Sequence, residues 1–186
     1  MALVVAVIGA PAPGSSTAAL VENVAERLEL EGHTTVRISP ADLPPAALVA
    51  ADSTDPRIRS AIEIIEQADG VVVATPIFQA SHSGLLKTFL DVLPPDALAG
   101  KVALPLANGG GRAHLLAVDD TLRPVLSALG CPQVGRGAFV PDTDIVRHSC
   151  GVSLTGASEA RVAVVCRRFS DALTPAEFSD LPKSFF

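Results

Sequence analysis

Apolar and polar positions repeat with two different periods along this chain, and the switches between them mark its elements. Leu3–Ile8 is an unbroken, β-branched-rich apolar run ending at Gly9, the pattern of a strand covered on both faces. From Ser16 the spacing is helical, with Leu20, Val24 and Leu28 in one row and Val21 and Ala25 beside it, until Gly32. Thr34–Ile38 predicts a second strand. A proline-rich connection through Asp42, Pro44 and Pro45 leads to Asp55-Pro56, an acidic N-cap followed by proline at the first helical position. The helix it opens carries Ile58, Ala61, Ile62, Ile65 and Ala68 on its buried stripe. Gly70 closes it, and Val71–Thr75 predicts the third strand.

A third helix starts at Gly84, turns Leu85, Leu86, Phe89 and Leu90 inward, and stops at Pro94-Pro95. Val102–Ala107 predicts a fourth strand, Ala113–Leu129 a fourth helix and Val134–Val140 a fifth strand. Pro141–Gly156 reads as loop and Ser158–Leu173 as a last helix. Two prolines break the local rules. Pro105 inside the fourth strand predicts an irregularity there. Pro124 has no N–H and crowds the carbonyl of Asp120, so the fourth helix should kink or form a π-bulge near Asp119–Asp120. Strands alternating with helices give an α/β domain over residues 1–186: a five-stranded parallel sheet with helices on both faces and right-handed crossovers.

Length and composition narrow the function. A chain of 186 residues suits one well-buried domain. Its net charge of -6 offers no electrostatic reason to expect nucleic acid or an anionic membrane as partner. Cys131, Cys150 and Cys166 are odd in number and match no metal-ligand spacing, which suggests free thiols in a reducing, cytoplasmic setting. The four histidines are scattered, so no metal site is expected. The apolar N-terminal run lacks a basic flank and reads as a buried strand, not a leader. No apolar stretch is long enough to span a bilayer.

In doubly wound sheets, ligands sit at the carboxyl ends of strands near the point where strand order reverses. Three loops meet that description. The first, Gly9-Ala-Pro11-Ala-Pro-Gly14-Ser15-Ser16-Thr17, has the skeleton of a P-loop with Ser15 in the lysine position, so NTPase chemistry is disfavoured. It also lacks the Gly-x-Gly-x-x-Gly spacing. What remains is three hydroxyls and a row of backbone N–H groups at a helix start, which suits a terminal phosphate or, equally, an ordinary N-cap. The second loop, Thr75–Gly84, offers Pro76, Ile77 and Phe78 as a surface for a planar heterocycle; core packing for Phe78 and a solvated loop position for His82 are the plain alternatives. The third, Asn108-Gly109-Gly110-Gly111 with Arg112 after it, permits close backbone approach or is simply a turn. No Gly-x-Ser-x-Gly elbow occurs, so a serine hydrolase is not expected.

The runs Thr75–Lys87 (TPIFQASHSGLLK), Gly100–Gly110 (GKVALPLANGG) and Ala113–Gly130 (AHLLAVDDTLRPVLSALG) closely resemble the NADPH-dependent FMN reductases, nearest to the sulfonate-utilisation type that supplies reduced flavin to a partner monooxygenase. The resemblance covers roughly residues 2–140. It implies a flavodoxin-like fold, FMN bound non-covalently, NADPH or NADH as reductant, and a homodimer or homotetramer. It further implies that Ser15, Ser16 and Thr17, in the loop with Gly9 and Pro11, hold the phosphate. Pro76, Ile77, Phe78 and Gln79 would contact the ribityl chain and ring, and Ser83 and Gly84 would face a neighbouring subunit's flavin. Asn108, Gly109 and Gly110 would take the pyrimidine edge. Hydride would pass directly between the two cofactors, so no acid, base or nucleophile is named.

Two departures from the family matter. Arginine, usual in the first loop at the positions of Ala12 or Ser16, is missing, a loss of about 1.5–3 kcal/mol of binding if that charged hydrogen bond is not replaced. Flavin would then behave more as an exchanging substrate than as a prosthetic group. Asp120 stands where the sulfonate-type reductases insert a tyrosine that bulges the helix at a subunit interface; the plain alternative is that Asp119 and Asp120 are surface acids. Two other functions fit the same loops: an FMN-containing reductase of quinones, azo compounds or metal oxyanions, and a flavin-binding subunit without turnover.

Overall fold

The computed structural model describes residues 1–111 and 118–173. Its elements in chain order are β1 (Leu3–Ile8), α1 (Ser16–Leu30), β2 (Thr34–Ile38), α2 (Pro45–Val49), α3 (Pro56–Gln67), β3 (Gly70–Phe78), β4 (Ser81–His82), α4 (Gly84–Val92), β5 (Val102–Gly109), α5 (Arg123–Ala128), β6 (Gln133–Val134), β7 (Ala138–Pro141), β8 (Ile145–His148), β9 (Gly151–Leu154) and α6 (Gly156–Leu173). The main sheet runs β2-β1-β3-β5, with β6 and β7 sharing the next position, all parallel. This is the flavodoxin-like order, with strand direction of travel reversing between β1 and β3.

Both faces of the sheet are buried. Val5, Val7, Val71 and Val73 point into a core with Ile58, Ile65, Leu86 and Phe89 of α3 and α4. Their neighbours Val4, Ala6, Val72 and Ala74 point the other way, onto Leu20, Val24 and Leu28 of α1 and Val162 and Phe169 of α6. Alternation within an all-apolar strand therefore divides its side chains between two cores. The expected N-cap of α3 is present: the Asp55 carboxylate accepts from the N–H groups of Arg57 (2.9 Å) and Ile58 (3.3 Å), with Pro56 next in the chain. Gly70 proves to open β3 rather than close α3; a side-chain carbon there would lie 2.5 Å from Leu173 of α6.

The main sheet comprises seven strands, not the expected five. Two differences account for this, and a third lies outside that sheet. The strand expected over Val134–Val140 is two short pieces, β6 opposite Val102–Ala103 and β7 opposite Leu106–Gly109. Pro105 supplies the reason. Val102 donates to Asp69 on the β3 side (3.3 Å), whereas Ala103 accepts from Gly135 on the edge side (2.7 Å). By strand alternation Pro105 faces the edge as well, where its missing N–H leaves a rung unmade. The chain crosses that gap at Gly137, where a side-chain carbon would lie 2.6 Å from the Pro105 carbonyl oxygen. Next, β3 extends through Phe78 and turns back through Gln79 and Ala80 into β4, antiparallel to it. Finally, the segment expected as loop over Pro141–Gly156 contains the separate β8–β9 hairpin, with Arg147 opposite Val152.

The expected π-turn is present at Val118–Leu122, leading into α5, and Asp119 and Asp120 are both exposed. Arg123 fastens this turn to the interrupted edge, donating to Asp119 and to the carbonyls of Val134 and Gly135. The expected start of that helix, Ala113–Ala117, and Arg112 lie outside the described residues. The cysteines are free thiols. Burial raises the Cys131 thiol and pushes Cys166 up to about 12, while Cys150 is exposed in the β8–β9 turn. Among the described residues no helix is long and apolar enough to cross a membrane, and no cluster of side chains could hold a metal ion.

Candidate functional site

The three loops converge at the carboxyl ends of β1, β3 and β5. The first leaves β1 at Gly9, which is buried: its N–H donates to Ala74 of β3 (2.7 Å) and its carbonyl accepts from the Ser83 hydroxyl. Pro11 and Gly14 are exposed, and Ser15 caps α1 by accepting from the Ala18 N–H at 3.2 Å. The N–H groups of Ser16 and Thr17 lie in the first turn, where no helical carbonyl can serve them. No acid stands in that turn, so an anion at this helix start meets the positive end of a fifteen-residue dipole without a competing carboxylate.

Thr17 departs from its neighbours. It is fully buried (0% exposed), and its hydroxyl donates to the Asn108 side-chain oxygen at 2.6 Å. The Asn108 amide nitrogen donates in turn to the Asp142 carboxylate at 2.7 Å. The amide is thus oriented by a donor at one end and an acceptor at the other. This line fixes the first loop, the end of β5 and the segment after β7 to one another. Both ends of the Asn108 side chain are thus engaged, and Gly109 after it is buried at the end of β5, opposite Pro141. Gly110 is exposed, with open space where a side chain would begin.

The second loop is more ordered than its sequence suggests. Pro76, Ile77 and Phe78 continue β3, with Pro76 opposite Asn108. Gln79 and Ala80, at φ of 48° and 62°, form the tight turn into β4, a left-handed pair that L side chains adopt at a cost. Ile77 is buried, whereas Phe78 is 52% exposed at the turn. Thr75 accepts from the Ser83 N–H (2.9 Å) and donates to the Pro76 carbonyl (3.0 Å), folding the loop onto its own strand. Ser83 caps α4 by accepting from Leu86 N–H at 3.0 Å. Its hydroxyl is therefore spent inside the fold, and Gly84 beside it has open space at its Cα.

His82 lies within 3.2 Å of the Thr121 hydroxyl, joining β4 to the π-turn. Burial of the ring lowers its pKa below the ordinary histidine value; the charge of Lys87 acts in the same direction and Asp91 opposes it. The unfolded chain therefore takes up the proton first. His82 contributes stability that is complete above about pH 6.5 and is lost as pH falls toward its lower folded value. Urea midpoints measured at neutral and mildly acidic pH should differ less in His82→Gln than in the parent; equal differences would remove His82 as the cause.

Three contributors are absent from the sequence-based site. Thr75 and Asp142 act by holding loop residues, and Arg147 of β8 donates to the Ser15 carbonyl from across the first loop. Arg147 lies in a segment read as loop, so no local pattern placed it near Ser15. An open cleft of about 430 Å³ between Arg37, Ser39, Arg57 and Ile64 lies beside β2 and α3, and none of the three loops lines it.

Residues 2–144 match the model of the family described as NADPH-dependent FMN reductase. The chain is 38% identical over 170 residues to an FMN reductase (NADPH) of Escherichia coli, covering 91% of this chain and 89% of that one. It is 41% identical over 143 residues to an FMN reductase (NADPH) of Pseudomonas putida, covering 77% and 73%. Among solved structures, the apo form of the NADH:FMN oxidoreductase EMOB superposes with a TM-score of 0.86 at 36% identity, covering 95% of this chain and 92% of that one.

Proposed function

The chain belongs to the NADPH-dependent FMN reductase family, and from that membership we propose that its three convergent loops are the FMN site. It is an NAD(P)H-dependent FMN reductase. Bound flavin supplies the acceptor for hydride from the nicotinamide, and the protein supplies position and electrostatics. The first loop takes the phosphate through the N–H groups of Ser16 and Thr17 and the hydroxyls of Ser15 and Ser16. Pro76, Ile77, Phe78 and Gln79 take the ribityl chain and ring. Gly109 and Gly110 take the pyrimidine edge through their backbone.

One observation carries this reading most: the Thr17–Asn108–Asp142 line fixes an acid-free helix start to the end of β5, so an anion-binding and a backbone-donating surface are held at constant separation. The half-exposed Phe78 and the open Gly84 support contact with a neighbouring subunit, in a homodimer or homotetramer. The resemblance of residues 75–87 and 113–130 to sulfonate-utilisation reductases supports transfer of the reduced flavin to a monooxygenase.

The test is steady-state NADPH and NADH oxidation by purified protein with added FMN, FAD or a quinone, after its absorption spectrum has been recorded. Turnover that requires added FMN is expected. Tightly retained FMN with rapid quinone turnover would overturn the role as a flavin supplier, and no turnover with any acceptor would leave a binding subunit.

A further inference from the structure

We propose that Arg147, brought over the first loop by the β8–β9 hairpin, is the cation that pairs with the flavin phosphate in this chain. The proposal rests on the reading that the first loop holds that phosphate. The residues of all three loops through Gly111 include no lysine or arginine. A phosphomonoester carries about -1.5 to -2 charges near neutral pH, whereas a helix start offers the equivalent of roughly +0.5. The loops alone leave most of that charge unmatched.

Arg147 is placed to match it. One terminal nitrogen donates to the Ser15 carbonyl, and the other lies 4.0 Å from where a side chain on Gly14 would begin. The guanidinium thus lies against the Gly14–Ser15 end of the loop. Among the described residues it has no carboxylate partner, and most of its N–H donors remain for a ligand. A cation held at the positive end of a helix is unfavourable by itself and becomes favourable once an anion lies between the two. The bond to the Ser15 carbonyl holds the guanidinium there before an anion arrives.

The hairpin is held on α1 at the relevant rung. Val152 pairs with Arg147, and the Val152 carbonyl accepts from the buried Asn23 amide at 2.8 Å. Asn23 also accepts from Arg27 (2.8 Å), which is bound through both Glu159 oxygens at the start of α6. Ser158 closes the base of the hairpin by donating to Asp144 at 2.6 Å. The helix that presents the N–H groups therefore also sets the register of the residue that supplies the charge.

The experiment measures dissociation constants for FMN and for riboflavin, which lacks the phosphate, in the parent, Arg147→Ala, Arg147→Lys and Arg112→Ala. Fluorescence quenching reads the binding, with circular dichroism melts to check folding. The parent should prefer FMN. Arg147→Ala should weaken FMN by roughly 10–100-fold, the range of a lost charged hydrogen bond, and leave riboflavin within about twofold. Lysine should recover part of the loss, and added salt should weaken FMN less in the alanine variant than in the parent. A parent that binds both flavins alike would overturn the phosphate reading itself. A parent that prefers FMN, with the preference intact in Arg147→Ala or lost only in Arg112→Ala, would overturn the role of Arg147 alone. Equal losses for both flavins would make Arg147 a structural residue and overturn its role at the phosphate.

Discussion

Replacing Gly9 by alanine should lower the unfolding free energy by about 1–3 kcal/mol, the usual range for overpacking a filled core, and should weaken FMN binding as well. The reason is geometric. An added carbon would lie 2.8 Å from the Leu86 Cβ of α4 and 2.9 Å from the Ala74 carbonyl oxygen of β3. Neither is the far end of a flexible side chain, so relief requires β1, β3 or α4 to move. Those movements act on the site, because the Gly9 N–H donates to that same Ala74 oxygen and its carbonyl accepts from Ser83, the cap of α4. Gly84→Ala is the control: a carbon there meets nothing within 4 Å, and its stability should stay within about 0.5 kcal/mol of the parent. Urea unfolding of both variants checks the expectation. If Gly9→Ala matches Gly84→Ala, the close approach at Gly9 has no energetic weight.

The same contrast marks what the sequence discloses. Elements whose signals are local were legible: the continuous apolar run of β1, the Asp55-Pro56 start of α3, and the π-turn required by Pro124. Pro105 was legible as an anomaly, but its consequence falls on a different strand, where Gly135–Gly137 carry the chain past the missing rung. The β8–β9 hairpin was not legible because its turn, Ser149-Cys150, lacks the glycine or asparagine that normally announces a two-residue connection. The Phe78–Ser81 turn was hidden likewise, since Gln79 and Ala80 adopt left-handed conformations usually left to other residues.

At the site, local reading found the loops but not the division of labour within them. Ser15, Ser16 and Thr17 look equivalent as consecutive hydroxyls. The helix period turns Thr17 inward, and the sheet then brings Asn108 to it from 91 residues away. Arg147 illustrates the same limit over 132 residues: the first loop lacks a cation in sequence, and one reaches it from a hairpin that packs against α1. Loop chemistry is written locally, whereas its completion depends on which distant strand ends the topology makes neighbours.

The Thr17–Asn108 pair offers the sharpest test of that dependence. Asn108→Leu should destabilise the protein by about 2–3 kcal/mol, because it leaves the buried Thr17 hydroxyl without an acceptor and removes the amide that serves Asp142. Thr17→Val alone should cost less, about 1–2 kcal/mol, since the buried Asn108 amide keeps its bond to Asp142. The double variant removes donor and acceptor together, so its loss should fall short of the sum by about 1 kcal/mol or more, a coupling readable from urea unfolding of the four proteins. FMN affinity should follow a different pattern. Either single change frees the first loop to move relative to β5, and the double variant restores packing without restoring the link, so affinity should stay low in all three. Additive stabilities would show that the 2.6 Å bond carries no energetic coupling. Parental FMN affinity in the double variant would show that the link between the loops is dispensable to the site.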